Sequence, residues 1–200
     1  DTIALMMLSR PSVISVMVGM AKIGVATAML NTNTTGNTFA HVVEVATTSS
    51  NTKIVIIDHK LKEHLKVEIE TLQQQNIICI IWNELVLEFE KLPQKYLKTR
   101  PSKKFRLSVL ESDPLLYIFT SGTTGLPKSS KISHTRFFIA SLPYGTLTTM
   151  QQGDRMYCTL PLYHSVSMRL VCVYVMVLFT HLLYIYTHIY IYICIHYIHY

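Results

Sequence analysis

Four short apolar runs recur through residue 81, and their spacing is the strongest constraint on what this chain can fold into. They are Ile3-Ala4-Leu5-Met6-Met7-Leu8, residues 25–30, Lys53-Ile54-Val55-Ile56-Ile57-Asp58 and Ile77-Ile78-Cys79-Ile80-Ile81. Each has strand length and no alternating polar face, so each needs cover on both sides of a sheet. Helix-length segments separate them. After the first run, Ser9 is expected as an N-cap with Pro11 in the first turn. Val13, Val16, Met17, Met20 and Ala21 then recur at helical spacing as a buried face, and Gly24 marks the stop. Residues 31–37 form a polar loop, residues 39–46 resume a helical pattern, and residues 61–75, rich in Glu, Lys, Leu and Gln, suit a surface helix. Strands alternating with helices in this way specify an α/β fold, a layered and mainly parallel sheet with flanking helices. The strand order does not follow from the pattern.

Beyond residue 92 the pattern breaks. Pro93, Pro101 and the cluster Lys98, Arg100, Lys103, Lys104 and Arg106 suggest a connection up to residue 112, and the basic cluster is expected to be a solvated linker rather than a nucleic-acid or membrane patch. A strand at residues 115–119 leads directly into a Gly- and Thr-rich loop. Residues 135–147 are expected to be helical despite Pro143, and Met156-Tyr157-Cys158-Thr159-Leu160 is expected to be a further strand.

Two hundred residues, half of them hydrophobic, suffice for one core, as one domain or part of a larger one. Cys79, Cys158, Cys172 and Cys194 lie far apart without a CxxC pair, so neither a zinc site nor a disulfide framework is expected, and a reducing compartment is. No initiator Met and no charged segment precede the first apolar run. No signal peptide is expected, and the chain is expected to be a fragment at its N-terminus.

The loop is Thr120-Ser121-Gly122-Thr123-Thr124-Gly125-Leu126-Pro127-Lys128. Hydroxyls and glycines after a strand suit a polyphosphate, because glycine lets backbone N–H groups approach the oxygens and Lys128 adds a positive charge. Residues 122–129 also fit the Walker A pattern except at one place. Pro127 stands where that pattern has its second glycine, and proline has a fixed φ and no N–H to donate.

With its preceding residues, Tyr117-Ile118-Phe119-Thr120 through Lys128 resembles the signature of the adenylate-forming superfamily of acyl-CoA synthetases, luciferases and peptide-synthetase adenylation domains. Met20-Ala21-Lys22-Ile23-Gly24-Val25, Leu30-Asn31-Thr32-Asn33 and Leu160-Pro161-Leu162-Tyr163-His164-Ser165 resemble its fatty acid transport protein branch, which includes very long-chain acyl-CoA synthetases. The resemblance implies that residues 1–168 are part of the large N-terminal domain of such an enzyme. It implies a fatty carboxylate attacking the α-phosphate of Mg-ATP to give acyl-adenylate and pyrophosphate, followed by displacement of AMP by the thiol of coenzyme A. Carried over, Thr120 lies beside Mg²⁺. Ser121, Gly122, Thr123, Thr124 and Gly125 cradle the β- and γ-phosphates with Lys128 nearby, and Tyr163 and His164 border the acyl and adenylate pocket. The implied partners are fatty acid, ATP, coenzyme A and, for the parent protein, a membrane of the endoplasmic reticulum or cell surface with the ligase domain facing the cytosol. No nucleic-acid partner is implied. The family continues for several hundred residues past the His164 motif, through its adenine- and ribose-binding residues and its C-terminal lysine. The isolated chain is therefore expected to be inactive. Two other readings remain open, namely a ligase for a different carboxylate and a non-catalytic, membrane-anchored relative.

Residues 169–200 form an apolar tail, and from residue 170 they contain no Lys, Arg, Asp or Glu. Their length suits a membrane span. Tyr184, Tyr186, His188, Tyr190, Tyr192 and Cys194 nevertheless alternate with Ile185, Thr187, Ile189, Ile191, Ile193 and Ile195, a period of two that belongs to a strand. Triplets drawn from an alternating pyrimidine–purine repeat encode the same text, so translated repetitive DNA is the preferred origin. His181, His188, His196 and His199 have no matching carboxylates or thiolate pairs around them, and no metal site is expected there.

Overall fold

The computed structural model describes residues 1–82, 100–120, 125–148 and 154–182, and for residues 144–148 and 174–182 the backbone alone. Its centre is a six-stranded sheet of β1 (Thr2–Met6), β2 (Ala26–Met29), β3 (Ile54–Ile57), β4 (Ile78–Ile81), β5 (Pro114–Thr120) and β6 (Lys128–Ser133), ordered β4-β3-β1-β2-β5-β6. The first five strands run parallel. Leu5 is in register with Met29 on one side and Ile56 on the other, while β6 returns antiparallel to β5. The helices are α1 (Pro11–Lys22), α2 (Gly36–Thr47), α3 (Lys66–Gln74), α4 (His134–Thr148) and α5 (Ser165–Leu182).

Strand alternation divides the core into two layers. From β1 and the residue after it, Ile3, Leu5 and Met7 face a cluster built with Val13, Val16 and Met17 of α1, Phe137 of α4 and Met168 of α5. Ala4 and Met6 face the opposite cluster, with Phe39, Val42 and Val43 of α2 and Ile69 and Leu72 of α3. Leu5, Met6 and Phe39 are among the fully buried side chains. Each contributes about 1.5–3 kcal/mol of transfer free energy, an upper bound on its share of stability.

Several local expectations change. Ser9 does not cap α1: Arg10 holds the N-cap position without a side-chain hydrogen bond, and Ser9 has a long-range partner. The helix expected over residues 61–75 begins later, at Lys66, after a 3-10 turn at His59–Leu61. Met156 to Leu160 lie outside any strand of the sheet, and Tyr157 is 72% exposed, so apolar composition there was not matched by a pairing partner. In contrast Lys-Ser-Ser-Lys-Ile-Ser of β6 forms a strand that hydrophobicity does not announce. It is an edge strand whose lysines face solvent, a common way to keep an edge from pairing further. α4 starts at His134 and carries Pro143 internally.

Helix α5 runs without a break through residues 168 and 169 to Leu182. Among the described residues no helix is long and apolar enough to cross a membrane. The alternating run from Tyr184, with His188, Cys194, His196 and His199, lies outside the described residues, as do Pro93 and Lys98.

Candidate functional site

In a parallel sheet, ligands gather where the strands' carboxyl ends meet connections that diverge. Here the chain leaves β1 through α1 toward β2, and leaves the adjacent β3 through α3 toward β4, with the two helices packed in opposite core layers. Asp58, the residue after β3, is fully buried at this divide. Its carboxylate accepts from the backbone N–H of Lys60 at 3.0 Å and of Leu8 at 3.4 Å, and lies 3.5 Å from an Arg10 Nη. His59 Nδ1 is 3.3 Å from Asp58 Oδ1 without the alignment of a hydrogen bond. A buried carboxylate needs such company, because removing it from water without partners costs several kcal/mol. The ion pair and backbone contacts hold the ends of β1 and β3 together.

The phosphate-type loop rises from the same edge. β5 ends at Thr120, whose register partner is Lys128, the first residue of β6. Both are exposed, so a hydroxyl and an ammonium-bearing residue stand opposite each other at the base of the hairpin. Of the loop itself, Ser121, Gly122, Thr123 and Thr124 lie outside the described residues. Gly125 has φ +97°, a left-handed geometry that side-chain-bearing residues avoid, and a Cβ there would meet nothing within 4 Å. Glycine is required by the turn of the backbone, not by crowding.

The Leu-Pro-Leu-Tyr-His-Ser segment is pinned to this edge from the other side. The N–H of Leu162 donates to Ser9 Oγ at 2.9 Å, and the buried Ser167 hydroxyl donates to the Leu160 carbonyl at 2.8 Å. Tyr163 packs half-buried against the first core cluster. His164 is exposed and opens α5: its carbonyl accepts from Met168 N–H and its Nδ1 accepts from Val166 N–H at 3.3 Å. With Nδ1 accepting, the neutral imidazole carries its proton on Nε2, which is left to face outward.

Between the β5–β6 hairpin and α4 and α5 lies a cavity of about 130 Å³. Its floor is apolar, from Leu116, Ile118, Ile132, Phe137 and Met168. Its polar lining is Thr120, Ser130, Ser165, Arg136 and Arg169. Arg169 donates through Nε to the Ser165 carbonyl at 3.2 Å, and Arg136 through Nη1 to the Lys131 carbonyl at 3.4 Å. A cavity near 150 Å³ holds a benzene ring, so this one has room for a group of about that size and not for a long chain.

The structure thus brings Thr120 and Lys128 together and places Thr120 and Ser165 on one cavity, while Tyr163 and His164 line the neighbouring segment and not the cavity. Among the described residues no group of three His, Cys, Asp or Glu could hold a metal ion. Sequence reasoning missed Ser9, the Arg10–Asp58 pair, Arg136 and Arg169. An acidic residue closing a buried strand was a usable signal for Asp58. Ser9 depends on a contact with a segment far along the chain, while Arg136 and Arg169 bond locally, to Lys131 and Ser165, and are marked only by the cavity on which the hairpin and two helices converge.

Residues 1–188 match the model of the AMP-binding enzyme family. The chain belongs to that family. This AMP-binding chain is 28% identical over 178 residues to long-chain fatty acid transport protein 2 of Rattus norvegicus, covering 84% of this chain and 27% of the relative. It is 32% identical over 165 residues to long-chain fatty acid transport protein 6 of Homo sapiens, covering 82% and 26%. It spans about a quarter of the length of these relatives. Its fold is similar to the inhibitor-bound N-terminal domain of FACL13 from Mycobacterium tuberculosis, with TM-score 0.68 at 20% identity over 88% of this chain and 42% of that one. It is also similar to O-succinylbenzoate coenzyme A synthetase from Bacillus subtilis in complex with ATP and magnesium ion, with TM-score 0.62 at 17% identity, covering 88% and 42%. The α/β fold is therefore similar to that of the N-terminal domain of FACL13 and to part of the fold of O-succinylbenzoate coenzyme A synthetase.

Proposed function

We propose that this AMP-binding chain is part of an ATP-dependent long- or very long-chain fatty acyl-CoA synthetase that activates fatty acids as acyl-adenylates and passes them to coenzyme A. The supporting observation is the pairing of Thr120 with Lys128 at the base of a hydroxyl- and glycine-rich loop, on the sheet edge that also carries the Leu162 segment. In this reading the loop, with Ser121, Gly122, Thr123, Thr124 and Gly125, holds the β- and γ-phosphates of ATP. Lys128 offsets their charge and Thr120 stands beside Mg²⁺. The exposed hydroxyl and cation at the loop base fit a magnesium-bound polyphosphate. When bound, the cation supplies neutralisation of charge that grows on the phosphates during attack at the α-phosphorus. None of these loop residues acts as a nucleophile. Residues 1–168 are taken as the partial adenylation domain and residues 169–200 as the apolar tail, although the family match and α5 both continue past residue 168. The parent protein is proposed to work at a membrane of the endoplasmic reticulum or cell surface with this domain toward the cytosol, and the isolated chain to lack turnover.

One observation favours a second reading, a ligase for a shorter or acidic carboxylate. Two guanidinium groups line the small cavity beside Thr120, where a plain alkyl chain would want none. Competition between adenylate analogues on the full-length protein separates the two. A fatty acyl-adenylate analogue is expected to bind more tightly than aryl, aminoacyl or dicarboxylate analogues, and the reverse order contradicts the lipid assignment.

A further inference from the structure

The basic cluster lies at the opposite end of the sheet. Its described members, Arg100, Lys103, Lys104 and Arg106, are followed by residues 107–113 and then by Pro114, the first residue of β5, while Thr120 is the last, so the length of β5, about 20 Å, lies between the cluster's end of the sheet and the loop's. Residues 100–108 are all exposed, and Val109 is the first to be half-buried. The segment is nonetheless fixed. Ser102 Oγ accepts from Lys104 N–H at 3.4 Å to start a 3-10 turn at Lys103–Arg106, Val109 N–H donates to the Arg106 carbonyl at 3.3 Å, and Leu110 N–H donates to Asp113 at 2.8 Å. Its backbone rests on the turn before β2. A Cβ at Gly24, where φ is +74°, would lie 2.8 Å from the Phe105 carbonyl oxygen and 3.0 Å from Val109 Cγ2.

Anchoring through the backbone and Val109 leaves the remaining side chains facing outward. Phe105 is 51% exposed, Leu107 80% and Leu110 63%, amid Arg100, Lys103, Lys104 and Arg106, with Lys104 Nζ 5.3 Å from the Phe105 ring centroid. A solvated linker has no use for three large apolar groups in water. Apolar side chains among long cationic ones suit the boundary between headgroups and acyl chains, where the cations meet phosphate and the apolar groups leave water. Nucleic acid would use the same cations, but aliphatic Leu107 and Leu110 offer it neither stacking nor hydrogen bonds. Glu111 is the exposed acidic neighbour, and Asp113 is engaged with the Leu110 amide.

We propose that residues 100–110 dock this chain on an anionic membrane surface, with Phe105, Leu107 and Leu110 in the interface and Arg100, Lys103, Lys104 and Arg106 against lipid phosphates. This locates the membrane association proposed above and stands on the patch alone, independent of the ligase chemistry.

Sedimentation of the 200-residue chain with phosphatidylcholine vesicles, with and without phosphatidylserine, tests the proposal. Binding is expected to require phosphatidylserine and to weaken with salt. Lys103→Glu with Lys104→Glu should weaken it by at least about thirtyfold, the share of two cations near an anionic surface. Leu107→Ser with Leu110→Ser, at unchanged charge, should weaken it about tenfold. All four positions are exposed, and unchanged urea midpoints will show that the fold persists. Equal binding by both variants, or equal binding to neutral and anionic vesicles, overturns the proposal. So does binding to a short oligonucleotide without binding to vesicles.

Discussion

The amide of Leu162 donates to Ser9 Oγ at 2.9 Å, a bond between residues 153 positions apart. It fastens the Leu-Pro-Leu-Tyr-His-Ser segment to the connection between β1 and α1, so the residues that follow the first strand carry a tether for the candidate site. Ser9→Ala should lower stability by about 1 kcal/mol, the net value of one such bond. The urea midpoint is expected to fall with an unchanged slope, and amide exchange at Leu162 to accelerate more than at Leu5. Uniform acceleration would show that the bond is not local in effect.

Asp58→Ala should be more costly. It leaves Arg10 without its partner and two backbone donors short of an acceptor, which for a buried ion pair costs about 3–5 kcal/mol. Arg10 is partly exposed, so the lower end applies. Asp58→Asn keeps an acceptor and should recover part of the loss in the same urea titration.

Gly125→Ala isolates backbone geometry, because the new methyl group would meet nothing. Holding an L-residue near φ +97° costs about 1–2 kcal/mol. The variant is expected to remain folded while binding Mg-ATP more weakly, and Lys128→Ala should lower that affinity by about tenfold or more through loss of a charged contact. Titration calorimetry reads both.

Burial pushes the Cys79 thiol up to about 11, and burial also raises Cys172 against a lowering hydrogen bond with Ser141. Thiolate is the reactive form. Cys79 should therefore be alkylated more slowly in the folded chain than in urea, with a pH–rate profile displaced from 9 toward 11. The sign for stability follows. Between those values the unfolded thiol has ionised and the folded one has not, so this contribution is intact below pH 9 and declines toward pH 11.

The tail carries its own test. If residues 169–200 are translated repeat DNA, sequenced mature transcripts should lack uninterrupted coding for them, and their presence there would contradict that origin.

Most of the sheet was legible in the sequence because β1 to β3 are buried on both faces and β4, though it is the other edge strand with Ile78 half exposed, still carries an apolar run; continuous runs such as Ile54-Val55-Ile56-Ile57 announce themselves. β6 was not, since an edge strand with Lys128 and Lys131 in solvent carries no such run. Met156 to Leu160 erred the opposite way, because apolar residues indicate burial only where a partner exists. At the site, Thr120, Gly125 and Lys128 were visible as chemistry clustered in one stretch. Ser9 and Asp58 acquire their places through tertiary contacts, and Ser9 looked like a local helix cap when its partner lay far along the chain.

The central claim is that the loop between Thr120 and Lys128 serves ATP-dependent activation of a fatty acid. Carboxylate-dependent exchange of pyrophosphate into ATP by the full-length protein tests it most directly. Long-chain fatty acids are expected to support exchange, Lys128→Ala to reduce it at least about tenfold, and the isolated 200-residue chain to show none. Exchange driven by amino, aryl or dicarboxylic acids with none from fatty acids would contradict the account.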